Sequence, residues 1–153
     1  MILILHNIRS VYNVGSIFRT ADAAGVSQII LSGYTPTPLD RFKQPRKDLA
    51  KVSLGAEKTV PWVQIKNLPM AIKHLKHEGS MIVAVEQDKH STSLFKFKLP
   101  KKPLVLIFGN EVRGLSKQSL KLCDAIVEIP MHGKKESLNV SVAAGVAMFV
   151  LLK

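Results

Sequence analysis

The chain has a single cysteine, Cys123. That excludes an internal disulfide and a zinc site built from several thiolates, and Cys123 reads most simply as a small buried apolar residue. No apolar run is long enough to cross a bilayer: the longest, Val140 to Leu152, falls short of the roughly 20 residues required. Met1 to Leu5 is too short for a signal-peptide core and runs straight into the polar His6-Asn7-Ile8-Arg9. Nucleotide-binding glycine signatures are missing. After Val105 to Phe108 the sequence reads Gly-Asn-Glu-Val-Arg-Gly, without the closely spaced glycine pair that admits a pyrophosphate, and there is no Walker A loop. The five histidines (His6, His74, His77, His90, His132) fall in no ligand spacing with cysteine or carboxylates, so no metal is expected. Ser137 has no adjacent histidine to activate it, which counts against a hydrolase triad. Acidic residues are also scarce, 11 against 22 Lys and Arg, leaving a net charge of +11 and a pI near 10.0. Such an excess favours a polyanionic partner, most commonly nucleic acid. A cytoplasmic protein of one domain, without membrane segment, repeat or linker, is the expectation.

What is present alternates between buried strands and helices. Continuous apolar runs at Ile2 to Leu5, Gln28 to Leu31, Trp62 to Ile65, Met81 to Val85, Leu104 to Phe108 and Ala125 to Pro130 predict strands. Asn13 to Ala24 predicts a helix with Ile17, Phe18, Ala21 and Ala24 on one face, Asn13 as N-cap and Gly25 as stop. Further helices are expected around Asp48 to Glu57, at Pro69 to Glu78 with His74 and His77 in solvent, at Lys117 to Leu122 and at Asn139 to Leu152. This pattern predicts an α/β fold, a single domain with a mostly parallel sheet flanked by helices. Tyr34 to Val60 opens as a proline-rich basic loop carrying Arg41, Lys43, Arg46 and Lys47, with Tyr34 and Phe42 interleaved, as suits gripping phosphates and stacking on bases. Phe95 to Lys102 reads as a charged connector. The last helix is apolar nearly all round, so a homodimer is expected to cover the face the sheet cannot.

Function is expected at the carboxyl ends of the strands, where open α/β sheets bind ligands. Two late strands break there into the glycine-containing turns Gly109 to Ser116 and Met131 to Val140. Asn13, Arg19, Glu111, Ser137 and Asn139 all fall at a strand end or in the helix that follows. Asn13, Ser137 and Asn139 are equally good as helix caps, and Arg19 and Glu111 as a structural ion pair. Gly15, Gly109, Gly114 and Gly133 beside them would let the main chain approach a ligand.

The segment Asn13-Val-Gly-Ser-Ile-Phe-Arg-Thr-Ala21 resembles the first motif of the SpoU/TrmH family of RNA ribose 2′-O-methyltransferases, within the SPOUT class. Phe108 to Ser116 resembles the family's second motif and Ile129 to Ala143 its third, in the right order and spacing over essentially the whole chain. The resemblance implies one catalytic domain over residues 1–153, without a separate RNA-binding domain, and a C-terminal deep trefoil knot. It implies S-adenosylmethionine as methyl donor, held by Val85, Glu86, Gly109, Ile129, Met131, Ser137 and Leu138. It implies a homodimer with its active site at the subunit interface and tRNA or rRNA as substrate. Arg19 would act on the ribose hydroxyl, Asn13 would orient it, Glu111 would hold Arg19 or touch substrate, and Ser137 and Asn139 would border cofactor and RNA. Asn7, Arg9, Arg41, Lys43, Arg46 and Lys47 are the expected RNA contacts. An RNA-binding module that keeps the cofactor pocket without turnover is the alternative.

Overall fold

Among the described residues, 1–152, the computed structural model has seven strands and six helices. The strands are β1 (Ile2–His6), β2 (Gln28–Ser32), β3 (Trp62–Gln64), β4 (Met81–Val85), β5 (Thr92–Ser93), β6 (Leu104–Phe108) and β7 (Ala125–Glu128). The helices are α1 (Val11–Ala24), α2 (Lys47–Ser53), α3 (Ala56–Thr59), α4 (Leu68–His77), α5 (Lys117–Lys121) and α6 (Val140–Leu151). The sheet order is β3-β2-β1-β6-β4-β7-β5, and each neighbouring pair is parallel. Parallel strands covered on both faces need apolar side chains on both, which is why they read as unbroken runs. Leu3, Leu5, Leu106 and Phe108 face the layer of α1, α2, α3 and α6, while Ile4, Val105 and Ile107 face α4 and α5. The expected α/β architecture is therefore what forms. β6, buried along its whole length, lies at its centre.

Local differences have identifiable causes. α1 starts at Val11 because Ser10 is the cap: its backbone is extended and its hydroxyl accepts the Asn13 N–H at 3.2 Å. Asn13 is therefore not the N-cap, and its side chain is free for other partners. The helix expected over 48–57 is two helices, parted by Leu54 (φ 52°) and Gly55 (φ 95°) in the left-handed region. β7 stops two residues before Pro130, which has no N–H to give to a ladder. The 3₁₀ turn Leu94–Lys96, with Leu94 in the core, runs into the start of the segment expected as a connector, and the short strand β5 lies just before it. His74 pairs with Glu78 at 3.4 Å on the exposed side of α4.

α1 lies on α2 at Gly15, where an added Cβ would stand 2.9 Å from the Leu49 carbonyl oxygen and 3.1 Å from the Val52 Cβ. That glycine answers a helix–helix contact and not a ligand. Gly15→Ala is expected to lower stability by about 1–3 kcal/mol through overpacking, read as a fall in melting temperature.

α6 buries Ala144, Ala147, Met148 and Leu151 against the sheet, but Val142 and Phe149 on its other side are 51% and 57% exposed. Among the described residues no helix is long and apolar enough to cross a membrane.

Candidate active site

The turns after β4, β6 and β7 enclose a cleft of about 620 Å³. Val85, Glu86 and Gln87 form one wall, Gly109 to Gly114 a second, and Ile129, Met131 and Glu136 to Asn139 a third, with Val140 and Ala143 of α6 behind.

Side chains fix each wall. The Glu86 carboxylate accepts the main-chain N–H groups of Leu115 (2.9 Å) and Gln87 (3.0 Å). Gly114, at φ 63°, is required beneath it, since a Cβ there would overlap the carboxylate. The Gln87 amide donates to the Glu136 carbonyl at 2.6 Å and ties the last turn to the end of β4. Asn110, only 8% exposed, accepts the N–H groups of Val112 and Arg113 at 2.9 and 2.8 Å. Its NH₂ donates to the Asn7 carbonyl and to the Tyr34 hydroxyl, both at 3.0 Å.

Glu111 accepts from the main-chain N–H of Arg9 (2.9 Å) and of Ser10 (3.0 Å), and from the Asn13 amide (3.0 Å). The Asn13 amide oxygen in turn accepts from Asn139 at 3.1 Å. Asn139 caps α6 by accepting the Ser141 N–H at 2.8 Å. Glu111, Asn13 and Asn139 thus lock together the start of α1, the turn after β6 and the start of α6. Burial alone would raise the Glu111 carboxyl pKa, but these donors outweigh it and hold it below its ordinary value. Asp124 behaves likewise, with burial opposed by the Ile82 N–H and the Lys76 ammonium. A depressed carboxyl pKa contributes stability that is complete above the unfolded value and is lost as pH falls through the folded one. Melting temperature is therefore expected to drop as the pH is taken below the ordinary carboxyl values, 4.5 for Glu111 and 3.8 for Asp124. Glu111→Gln should flatten that part of the profile in melts recorded from about pH 7 to pH 3.

Of the residues singled out in the sequence, Val85, Glu86, Gly109, Glu111, Ile129, Met131, Ser137, Leu138 and Asn139 all line the cleft. Asn13 reaches it through Glu111 and Asn139. Arg19 does not line it: the side chain is exposed further along α1, and the structural ion pair with Glu111 that the sequence left open as an alternative is not formed within the chain. Asn7 and Arg9 follow β1 at the rim. The Asn7 side chain accepts the Tyr34 N–H, and the Arg9 main chain meets Glu111. Arg41, Lys43, Arg46 and Lys47 belong to a separate loop around a shallow hollow lined by residues 40–42 and 44–48, which leaves out Lys43. Arg41 covers the Phe42 ring at 4.7 Å, and Arg46 pairs with Asp48 at 3.0 Å, a hydrogen bond that raises the guanidinium pKa. Asn110 and Gln87 were not anticipated. An asparagine opening a turn was the available signal for the first, and nothing in the sequence marks the second.

The cleft's charge runs against that of the chain. Among the described residues, Glu86, Glu111, Glu128 and Glu136 line it beside one cation, Arg113, in a protein of net charge +11. Such a lining suits a ligand carrying positive charge and disfavours phosphate. Among the described residues no group of three or more His, Cys, Asp or Glu side chains is arranged to hold a metal ion. The Cys123 thiol, pushed up to about 11 by burial, is unreactive near neutral pH.

The family described as SpoU rRNA Methylase matches residues 1–149. A 23S rRNA (guanosine-2′-O-)-methyltransferase, RlmB, of Shewanella oneidensis is 38% identical over 148 residues, covering 97% of this chain and 57% of the relative. The chain thus spans less than two-thirds of that relative's length. The AdoMet-bound rRNA methyltransferase from Sinorhizobium meliloti superposes with a TM-score of 0.87 at 28% identity, over 98% of this chain and 54% of that one. A structure solved for the 2-OH methylation of C/U34 on tRNA gives a TM-score of 0.81 at 26% identity, over 97% and 91% of the two chains.

Proposed function

Because the chain belongs to the SpoU rRNA methylase family, we propose that it transfers a methyl group from S-adenosylmethionine to a ribose 2′-hydroxyl of tRNA or rRNA in the cytoplasm. Residues 1–153 act as its catalytic domain. The observation that carries this reading is the acidic cleft at the carboxyl ends of β4, β6 and β7. The residues present fit the donor. Val85, Ile129, Met131 and Leu138 give apolar walls for a purine, Gly109 borders the same space without a side chain, and the four glutamates suit a sulfonium and an ammonium group. Bound there, S-adenosylmethionine supplies a methyl group on a positively charged sulfur, open to in-line attack by a hydroxyl oxygen.

In the same reading the segment after β7 is threaded as a deep trefoil knot. In support, β7 lies inside the sheet between β4 and β5, and the turn beyond it is tied back to Gln87 before α6 begins. True knots are close to absent among folds, so family membership is the main ground for this one.

A second copy completes the site. Arg19 lies six residues beyond Asn13, about 240° round and about 9 Å along the helix, so it is directed away from its own Glu111 network. Tyr12 and Arg19, seven apart, share an exposed face of α1, and Val142 and Phe149, seven apart, share one of α6. The two helices pack together at Thr20 and Gly145. A homodimer through this composite face covers the apolar side chains and carries Arg19 to the partner's cleft. There the guanidinium, which stays protonated, hydrogen-bonds the attacking hydroxyl and stabilises its developing negative charge. Asn13 and Glu111 hold the turns in register, Ser137 and Asn139 border donor and ribose, and Asn7, Arg9, Arg41, Lys43, Arg46 and Lys47 contact the RNA.

Calorimetric titration tests the cleft assignment. S-adenosylmethionine is expected to bind and NAD is not; binding of NAD in place of S-adenosylmethionine would overturn it.

A further inference from the structure

We propose that Tyr34 is the stacking platform for the base of the nucleotide whose ribose enters the cleft, and that Asn110 is the residue that positions its ring. This rests on the RNA-modifying reading above and goes beyond it by naming the group that receives the base.

Tyr34 is 60% exposed, yet it is held at both ends. Its hydroxyl accepts from Asn110 at 3.0 Å, and its main-chain N–H donates to the Asn7 amide oxygen at 3.2 Å. The turn that carries it is itself fixed. Asn7 and Gly33 are both left-handed, at φ 57° and 65°, and His6 Nδ1 lies 3.0 Å from the Ser32 hydroxyl. A surface tyrosine fixed this firmly presents a flat apolar face whose ordering cost has already been met, which favours binding to that face.

Asn110 gives the ring its address. Both amide hydrogens are used, on the Asn7 carbonyl and on Tyr34, and its oxygen accepts the N–H groups of Val112 and Arg113. Val112 and Arg113 line the cleft, so one buried side chain sets both the cleft wall and the ring beside it. Among the described residues no other exposed aromatic is hydrogen-bonded to a cleft-lining residue. Phe42 lies in the separate loop away from the cleft, with Arg41 over one face of its ring, and Tyr12 lies on the α1 face assigned to the dimer. A ribose that enters the cleft takes its base out of the RNA stack, and an aromatic face at the rim replaces the lost neighbour for any base.

The test measures binding of the full chain to single-stranded oligouridylate and oligoadenylate over a range of salt, with S-adenosylmethionine titrated in parallel. Tyr34→Ala is expected to weaken RNA binding roughly 5- to 150-fold. The slope of log affinity against log salt should stay unchanged, because stacking releases no counterions. Cofactor affinity should be unaltered. Tyr34→Phe keeps the ring and loses only the Asn110 bond, so its loss should be smaller; Asn110→Ala, which also releases the Asn7 carbonyl and the Val112 and Arg113 N–H groups, should cost more than Tyr34→Phe. Wild-type affinity in Tyr34→Ala, a loss that comes with a shallower salt slope, or no wild-type binding to either oligonucleotide would each overturn the proposal. Failure of the wild type to bind S-adenosylmethionine would instead remove the methyltransferase reading and leave the base platform standing.

Discussion

Arg19→Ala is expected to lower methyl transfer by about 10²- to 10⁴-fold, the range for loss of a group acting on the reacting hydroxyl, with S-adenosylmethionine affinity unchanged. The separation follows from position. Arg19 is exposed on α1 and is not among the residues that line the cleft of its own chain, so its removal leaves that lining intact. Parallel loss of cofactor binding would make the residue structural. Because the arginine is assigned to the partner's cleft, two inactive variants should complement each other. Mixed after dissociation, Arg19→Ala and Asn139→Ala chains form heterodimers in which one of the two sites carries neither change. Random pairing restores about a quarter of wild-type activity. No recovery in heterodimers confirmed to have formed would mean that each chain uses its own arginine.

Val142→Glu combined with Phe149→Glu is expected to abolish transfer by a different route. Both side chains are exposed in the single chain, so the fold should survive, as read by circular dichroism. In the dimer they would place carboxylates in an apolar interface with no partner, at a cost of several kcal/mol per copy. The expected outcome is a folded monomer in analytical ultracentrifugation with activity reduced as far as in Arg19→Ala. A monomeric variant that keeps wild-type turnover would contradict the shared site.

The parts of the molecule legible in the sequence are those where one local rule decides. β6 carries apolar residues at every position because both faces of a central parallel strand are covered, and its ends match the expectation. The cleft walls were legible because polar turns interrupt such strands at one end. What escaped depends on contacts between residues far apart in the chain. Asn13 looks like a helix cap, but Ser10 takes that place, and Asn13 is held by Glu111 and Asn139, 98 and 126 residues away. Gly15 and Gly114 were noticed as glycines, yet what they accommodate is the Leu49 carbonyl and the Glu86 carboxylate, atoms of the protein itself. Leu54 in the left-handed region, which splits α2 from α3, has no local signature, although Gly55 beside it hinted at a break. Arg19 shows the limit most clearly: its motif is visible, but the fold leaves it exposed on α1 outside the cleft, and its place in the chemistry rests on the proposed second copy.

The central claim, that this cleft serves transfer of a methyl group to ribose, is tested most directly by following labelled methyl from S-adenosylmethionine into total RNA and then digesting that RNA with alkali. Alkaline cleavage needs a free 2′-hydroxyl, so ribose methylation protects the adjacent linkage. Label in alkali-stable dinucleotides, absent with the Arg19→Ala protein, is the predicted result. Label recovered only in mononucleotides, which marks a methylated base, or no label from a folded protein that binds the cofactor, would contradict it.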